Sequence, residues 1–190
     1  MEDLSLSKLT KLEIRGFVIQ CEQNNLPGLG QLPALKHLQI ENVGLKKVGR
    51  ELYYGNLSND VVGGGRREAF AKLEELVLEK MSELEEGCSS SFSHLEEFTL
   101  DDSSESNGLP HLPNLKEFRI KRIRNEALPN GGWKQLAALR EFEIDACFEL
   151  KSLPDGLTQL QSLENLKIVG CDKVPLLPEG LGQLKKLQSF

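Results

Sequence analysis

The sequence predicts a curved solenoid of stacked coils, with short parallel β-strands on the concave side and loops or short 3₁₀ or helical turns on the convex side. Three observations predict it. A nine-residue pattern, L-x-x-L-x-x-L-x-L with Phe or Ile allowed at the leucine slots, recurs seven times in 190 residues. Within each copy the spacing of apolar residues changes from every third to every second, a switch from turn to half-buried strand. Between copies, stretches such as "LPGLGQL" (26–32), "LPDGLTQL" (153–160) and "LPEGLGQL" (177–184) place Pro and Gly where no strand continues.

The copies in order are "LSKLTKLEI" (6–14), "LPALKHLQI" (32–40), "FAKLEELVL" (70–78), "FSHLEEFTL" (92–100), "LPNLKEFRI" (112–120), "LAALREFEI" (136–144) and "LQSLENLKI" (160–168). Their final positions are 26, 38, 22, 20, 24 and 24 residues apart, and an eighth copy opens at Leu184 and stops at Phe190. All but one interval falls in or near the leucine-rich-repeat range of about 20–29 residues. The expected class is therefore an α/β-type leucine-rich-repeat solenoid, one domain over 1–190, with seven repeats and a truncated eighth. The 38-residue step places a loop insertion at 45–69, between the second and third repeats.

One such repeat cannot bury its apolar residues alone, so neighbours stack and share one core. Strands about 4.8 Å apart give seven and a half coils a length on the order of 35 Å. Trp133 occupies a leucine slot three residues before Leu136 and is expected in that core. Both ends look cut within a repeat, which predicts a piece of a longer chain whose terminal coils expose apolar surface.

Composition narrows the function classes. A chain with 39% apolar and 27% charged residues is a folding composition, and a net charge of −6 argues against a nucleic-acid binder. "MEDLSLSKLTKL" lacks the features of a signal peptide, and no apolar run is long enough to span a membrane. The four cysteines, Cys21, Cys88, Cys147 and Cys171, form no CxxC pair, which suggests free thiols in a reducing, cytoplasmic setting. The lone sequon at Asn56 does not outweigh that.

Residues 24–55, "NNLPGLGQLPALKHLQIENVGLKKVGRELYYG", resemble a run in the leucine-rich-repeat regions of plant coiled-coil nucleotide-binding immune receptors. "FAKLEELVLEKMSELEE" (70–86) is similar to another segment of that family, with Ala71 for its usual proline and Gly87 for its usual tryptophan. The C-terminal repeats share its Ile-x-x-Cys, at Ile144/Cys147 and Ile168/Cys171. The resemblance implies a cytosolic region that recognises pathogen effectors or guarded host proteins and restrains the receptor's nucleotide-binding domain. Protein partners are then expected, and no nucleic acid, membrane, metal or cofactor. An intramolecular clamp without effector contact is the alternative; a secreted ectodomain lacks its signal peptide and cysteine caps.

Catalysis finds no support in the motifs. His37, His94 and His111 are scattered, no GxSxG elbow or Cys/His ligand cluster exists, and "CSSSFSH" (88–94) reads as a polar turn. Cys147 and Cys171 share a register one repeat apart and read as buried structural thiols. The outward strand residues are more informative. Repeats three and four are acidic, through Glu74, Glu75, Glu79, Glu96, Glu97, Asp101 and Asp102. Repeat five reverses the sign, with Lys116, Arg119, Lys121, Arg122 and Arg124. Candidate partner-binding residues are Glu79, Thr99, Asp101, Lys116, Arg119, Lys121, Glu143, Asp145 and Lys167. The same residues could instead form charge ladders, Asp101–Lys121–Asp145 and Arg119–Glu143–Lys167. "NDVVGGGRREAF" (59–70) lacks the strand, helix and GK[ST] ending of a phosphate loop. It reads as linker within the insertion, or as a contact loop with Arg66 and Arg67 at its tip.

Overall fold

A computed structural model describes residues 6–16, 29–43, 69–81, 92–103, 109, 111–129 and 131–189. The L-x-L ends of the seven copies become seven five-residue strands: β1 (Lys11–Arg15), β2 (His37–Glu41), β3 (Glu75–Glu79), β4 (Glu97–Asp101), β5 (Glu117–Lys121), β6 (Glu141–Asp145) and β7 (Asn165–Val169). They form one parallel sheet in chain order, β1 to β7. The register is equivalent throughout, so Leu38 faces Leu76, then Phe98, Phe118, Phe142 and Leu166. β2 pairs with β3 over all five residues although 33 residues separate Glu41 from Glu75, so the long interval leaves the sheet unbroken. The proposed insertion, with Gly63 to Gly65, Arg66 and Arg67, lies almost wholly outside the described residues.

The repeat pattern explains each coil. Every L-x-x-L is closed by an N–H of the second leucine slot donating to the carbonyl of the first, at 3.0–3.4 Å in all eight copies. The next two N–H groups donate to one carbonyl of the preceding repeat; Glu74 and Glu75, for instance, both reach Lys36 O, at 2.8 and 2.9 Å. That fork starts the strand and locks its register to its neighbour. Past the strand, Asn42, Lys80, Asp102, Arg122, Ala146 and Gly170 take φ between 45° and 63°. From Gly16 to Ala146, the N–H at this position donates to the last strand residue of the following repeat, at 2.8–3.1 Å. Left-handed backbone is unfavourable for most side chains, and this bond, which carries the ladder past the strand end, is what holds it.

The inward slots build one continuous core. Leu35, Leu73, Leu95, Leu115, Leu139 and Leu163 are at most 1% exposed. Where Phe replaces Leu, Phe98, Phe118 and Phe142 stack in sequence at 5.4 and 5.3 Å between ring centroids. Trp133 takes its leucine slot as expected, 1% exposed, with its Nε1 donating to Pro129 O at 2.6 Å. On the far side the described connections carry 3₁₀ turns, at Leu29–Gln31, Trp133–Gln135, Asp155–Gln159 and Leu181–Gln183. Two residues beyond each strand, Ser103, Cys147 and Cys171 are buried. Cys147 Sγ donates to Asp145 O at 3.4 Å and Cys171 Sγ to Val169 O at 3.5 Å; both are free thiols. Burial raises both thiol pKa values, that of Cys147 to about 11.

Candidate functional site

Because alternate strand residues point outward and the register never slips, the open face of the sheet carries three rows of side chains. The central row runs Glu13, Gln39, Val77, Thr99, Arg119, Glu143, Lys167. The last row runs Arg15, Glu41, Glu79, Asp101, Lys121, Asp145, Val169. These rows contain eight of the nine predicted partner-binding residues. Lys116 stands one position ahead of β5, exposed, with its Nζ 2.7 Å from Glu96.

A further row holds Glu75 and Glu97, expected from the sequence as part of the acidic repeats, and extends to Glu117 and Glu141, which were not. The first strand position carries Lys11, His37, Glu75, Glu97, Glu117, Glu141 and Asn165, so four glutamates sit on four consecutive strands. The residue just ahead of each L-x-L was the available signal. Like charges facing one another across strands are unfavourable. His37 Nδ1 lies 2.9 Å from Glu75, and Arg119 from the central row reaches Glu97 at 3.3 Å and also pairs with Glu117. Over all three rows ten carboxylates stand against five Lys or Arg, a net −5 beside the chain's −6. The face is therefore predominantly acidic, with Arg119 and Lys121 as a basic island on β5.

Of the two expected ladders, one forms as drawn. Glu143 accepts from Lys167 Nζ at 2.6 Å and lies 3.7 Å from Arg119 Nε. Lys167 foremost, against a partial opposing effect of burial, holds the Glu143 carboxyl below the usual range. The other ladder needs correction. Asp101, Lys121 and Asp145 are in register, but Lys121 Nζ sits 4.0 Å from Glu143 and Asp101 Oδ2 takes Arg122 Nη2 at 2.6 Å. The reason is the left-handed residue after each strand, whose side chain reaches back one repeat; Lys80 does the same to Glu41 at 2.6 Å. Asp101 Oδ1 is buried without a hydrogen-bond donor, and burial raises the Asp101 pKa.

The rows over β5–β7 border a groove of about 580 Å³. Its walls include Glu117, Arg119, Glu141, Glu143, Lys167 and Val169. Nothing in it resembles catalytic machinery: the cations are paired to carboxylates, and no nucleophile and base are brought together. Among the described residues no group of three or more His, Cys, Asp or Glu is placed to hold a metal, and no helix is long and apolar enough to cross a membrane. His94 is exposed, and His111 Nδ1 is 3.3 Å from Gln135 Oε1.

No family model and no curated protein matches the chain. Among solved structures it is similar to the leucine-rich repeat domain of the type III effector XopL, with a TM-score of 0.50 and 19% identity, covering 95% of this chain and 75% of that one. At that identity the likeness establishes the fold, a leucine-rich-repeat solenoid. Solenoids of this kind present an extended concave surface, here the open face of the sheet.

Proposed function

We propose that the chain is the protein-binding leucine-rich-repeat module of a plant intracellular immune receptor, acting in the cytoplasm. Its concave face takes a pathogen effector or a guarded host protein, and contacts to the receptor's nucleotide-binding domain contribute to autoinhibition. The observation that carries the binding role is the sheet itself: seven in-register strands set three rows of charged side chains on one open face. The receptor assignment is supported by the resemblance of residues 24–55 and of the Ile-x-x-Cys repeats to that family. Charge rows of this kind steer encounter and select partners more than they add affinity.

The test is affinity capture from infected plant tissue, comparing the natural sequence with Arg119→Glu/Lys121→Glu. Folding of each is checked by circular dichroism, and Arg119→Gln/Lys121→Gln serves as the milder pair if the reversal melts. Altered capture of an effector or host protein with an intact fold supports the reading, lost where the partner's contact is acidic and strengthened where it is basic; unchanged capture by the folded variant overturns it. Suppression of the nucleotide-binding domain in trans, with no other protein captured, assigns the clamp role instead.

A further inference from the structure

We propose that the groove over β5–β7 seats an extended basic segment of the partner, with Lys or Arg at alternate positions and an apolar residue at the end nearest β7. The inference rests on the protein-binding reading above and adds the chemistry of what is bound. Two independent features carry it, one of charge and one of shape.

The charge feature is the uneven neutralisation of the face. Glu75, Glu97, Glu117 and Glu141 are adjacent in register, and at about 4.8 Å per strand their row is roughly 14 Å long. His37 answers the first, and Arg119 the second and third. Glu141 is exposed and has no ion pair among the described residues. The cations beside it are engaged: Lys167 and Arg119 both lie against Glu143, at 2.6 and 3.7 Å. An incoming anion would meet cations already paired, whereas an incoming cation meets a carboxylate with no partner. The segment that fits is therefore basic.

The shape feature is the groove itself and its apolar wall. It holds Glu141, which has no ion pair among the described residues, between the paired Glu117 and Glu143, with Val169 on β7. Val169 is 47% exposed, and Phe148, 58% exposed, leans over the adjacent Gly170, where a Cβ would lie 3.7 Å from its ring. Exposed apolar side chains beside an acidic groove suit a segment that ends in an apolar residue. An extended chain places same-side residues about 6.6–6.8 Å apart, the spacing of Glu141 and Glu143 along β6, and its next same-side residue falls level with Val169 on β7.

The probes are two fluorescein-labelled peptides, Lys-Thr-Lys-Thr-Lys-Thr-Phe and the same peptide with Glu for Lys, titrated by fluorescence anisotropy at about 50 mM salt, where surface charge is weakly screened. The basic peptide is expected to bind and the acidic one not. Glu117→Gln/Glu141→Gln should weaken it about five- to tenfold. The same charge change away from the groove, Asp155→Asn/Glu179→Gln, should leave affinity within about twofold. Val169→Ser should weaken the peptide ending in Phe and spare one ending in Ala. Equal losses from the groove and control pairs would reduce the effect to net charge and overturn the proposal, as would equal binding of the two peptides. Capture of a partner that is insensitive to Glu117→Gln/Glu141→Gln but lost in the Arg119/Lys121 variants would overturn the groove alone and leave the binding module standing.

Discussion

Gly156 offers a stringent check on how the coils stack. A Cβ built on it would lie 2.4 Å from Trp133 Cδ1, 2.7 Å from Cγ and 3.0 Å from Cβ. Ordinary carbon contacts sit near 3.5–4.0 Å, so the alanine methyl or the indole must move by roughly 1 Å. Trp133 has little room: it is 1% exposed, its Nε1 is bound to Pro129 O, and its ring packs against Phe142 at 5.4 Å. Overpacking of this kind costs about 1–3 kcal/mol. The backbone of Gly156 is not left-handed, so alanine also recovers about 0.4–1 kcal/mol by stiffening the unfolded chain. The expected net loss for Gly156→Ala is about 1–2 kcal/mol, read from urea unfolding. In a Trp133→Ala background the same change meets a cavity and should cost nothing or stabilise. A neutral Gly156→Ala, or the same loss in both backgrounds, would refute the stacking of these two turns.

Other outcomes follow from the core and the charged face. Phe118 has two aromatic neighbours and Phe98 one in the Phe98–Phe118–Phe142 stack, so Phe118→Leu should lose about 1–3 kcal/mol and Phe98→Leu roughly half that, by thermal or urea unfolding. Glu143 has its pKa lowered by folding, so the stability it adds is present above the ordinary carboxylate range and lost as pH falls through its folded pKa. Asp101 has the opposite sign: its raised pKa makes the charged form cost stability once pH rises through it. Glu143→Gln should therefore lower the melting temperature at pH 7 and Asp101→Asn leave it unchanged or higher, with both differences shrinking near pH 3. In a Cys21→Ser/Cys88→Ser background, Cys147 and Cys171 should resist iodoacetamide at pH 8 until urea unfolds the chain, because burial keeps them as thiols. Rapid labelling of the folded protein would contradict their burial.

The coil was legible because the period switch fixes which residues point inward, and the stack then has a single register. That is why Glu143 and Lys167 could be placed side by side from the sequence alone. Glu75 and Glu97 are legible as part of the acidic repeats, but Glu117 and Glu141, which continue their row, stand one residue ahead of the L-x-L that defines the strand and beside the basic residues of repeat five. The Asp101 ladder failed for a different reason. Left-handed backbone at Asn42, Lys80, Asp102, Arg122 and Ala146 is imposed by a bond to the next repeat, and residues so unlike one another leave no sequence signal for it. Gly156 and Gly180 show the same limit in one motif. LPDG and LPEG look alike, yet Gly156 is required by the Trp133 ring and Gly180 by its own φ of 96°.

The central claim, that the open face of the sheet is where a partner docks, is tested most directly by carboxyl footprinting with a carbodiimide and glycine ethyl ester. The partner protein obtained by affinity capture is added, and labelling is compared residue by residue. Glu117, Glu141 and Glu143 should be protected while Asp155 and Glu179, on the opposite side, label as in the free protein. Protection confined to Asp155 and Glu179, with the three groove glutamates unchanged, would contradict it.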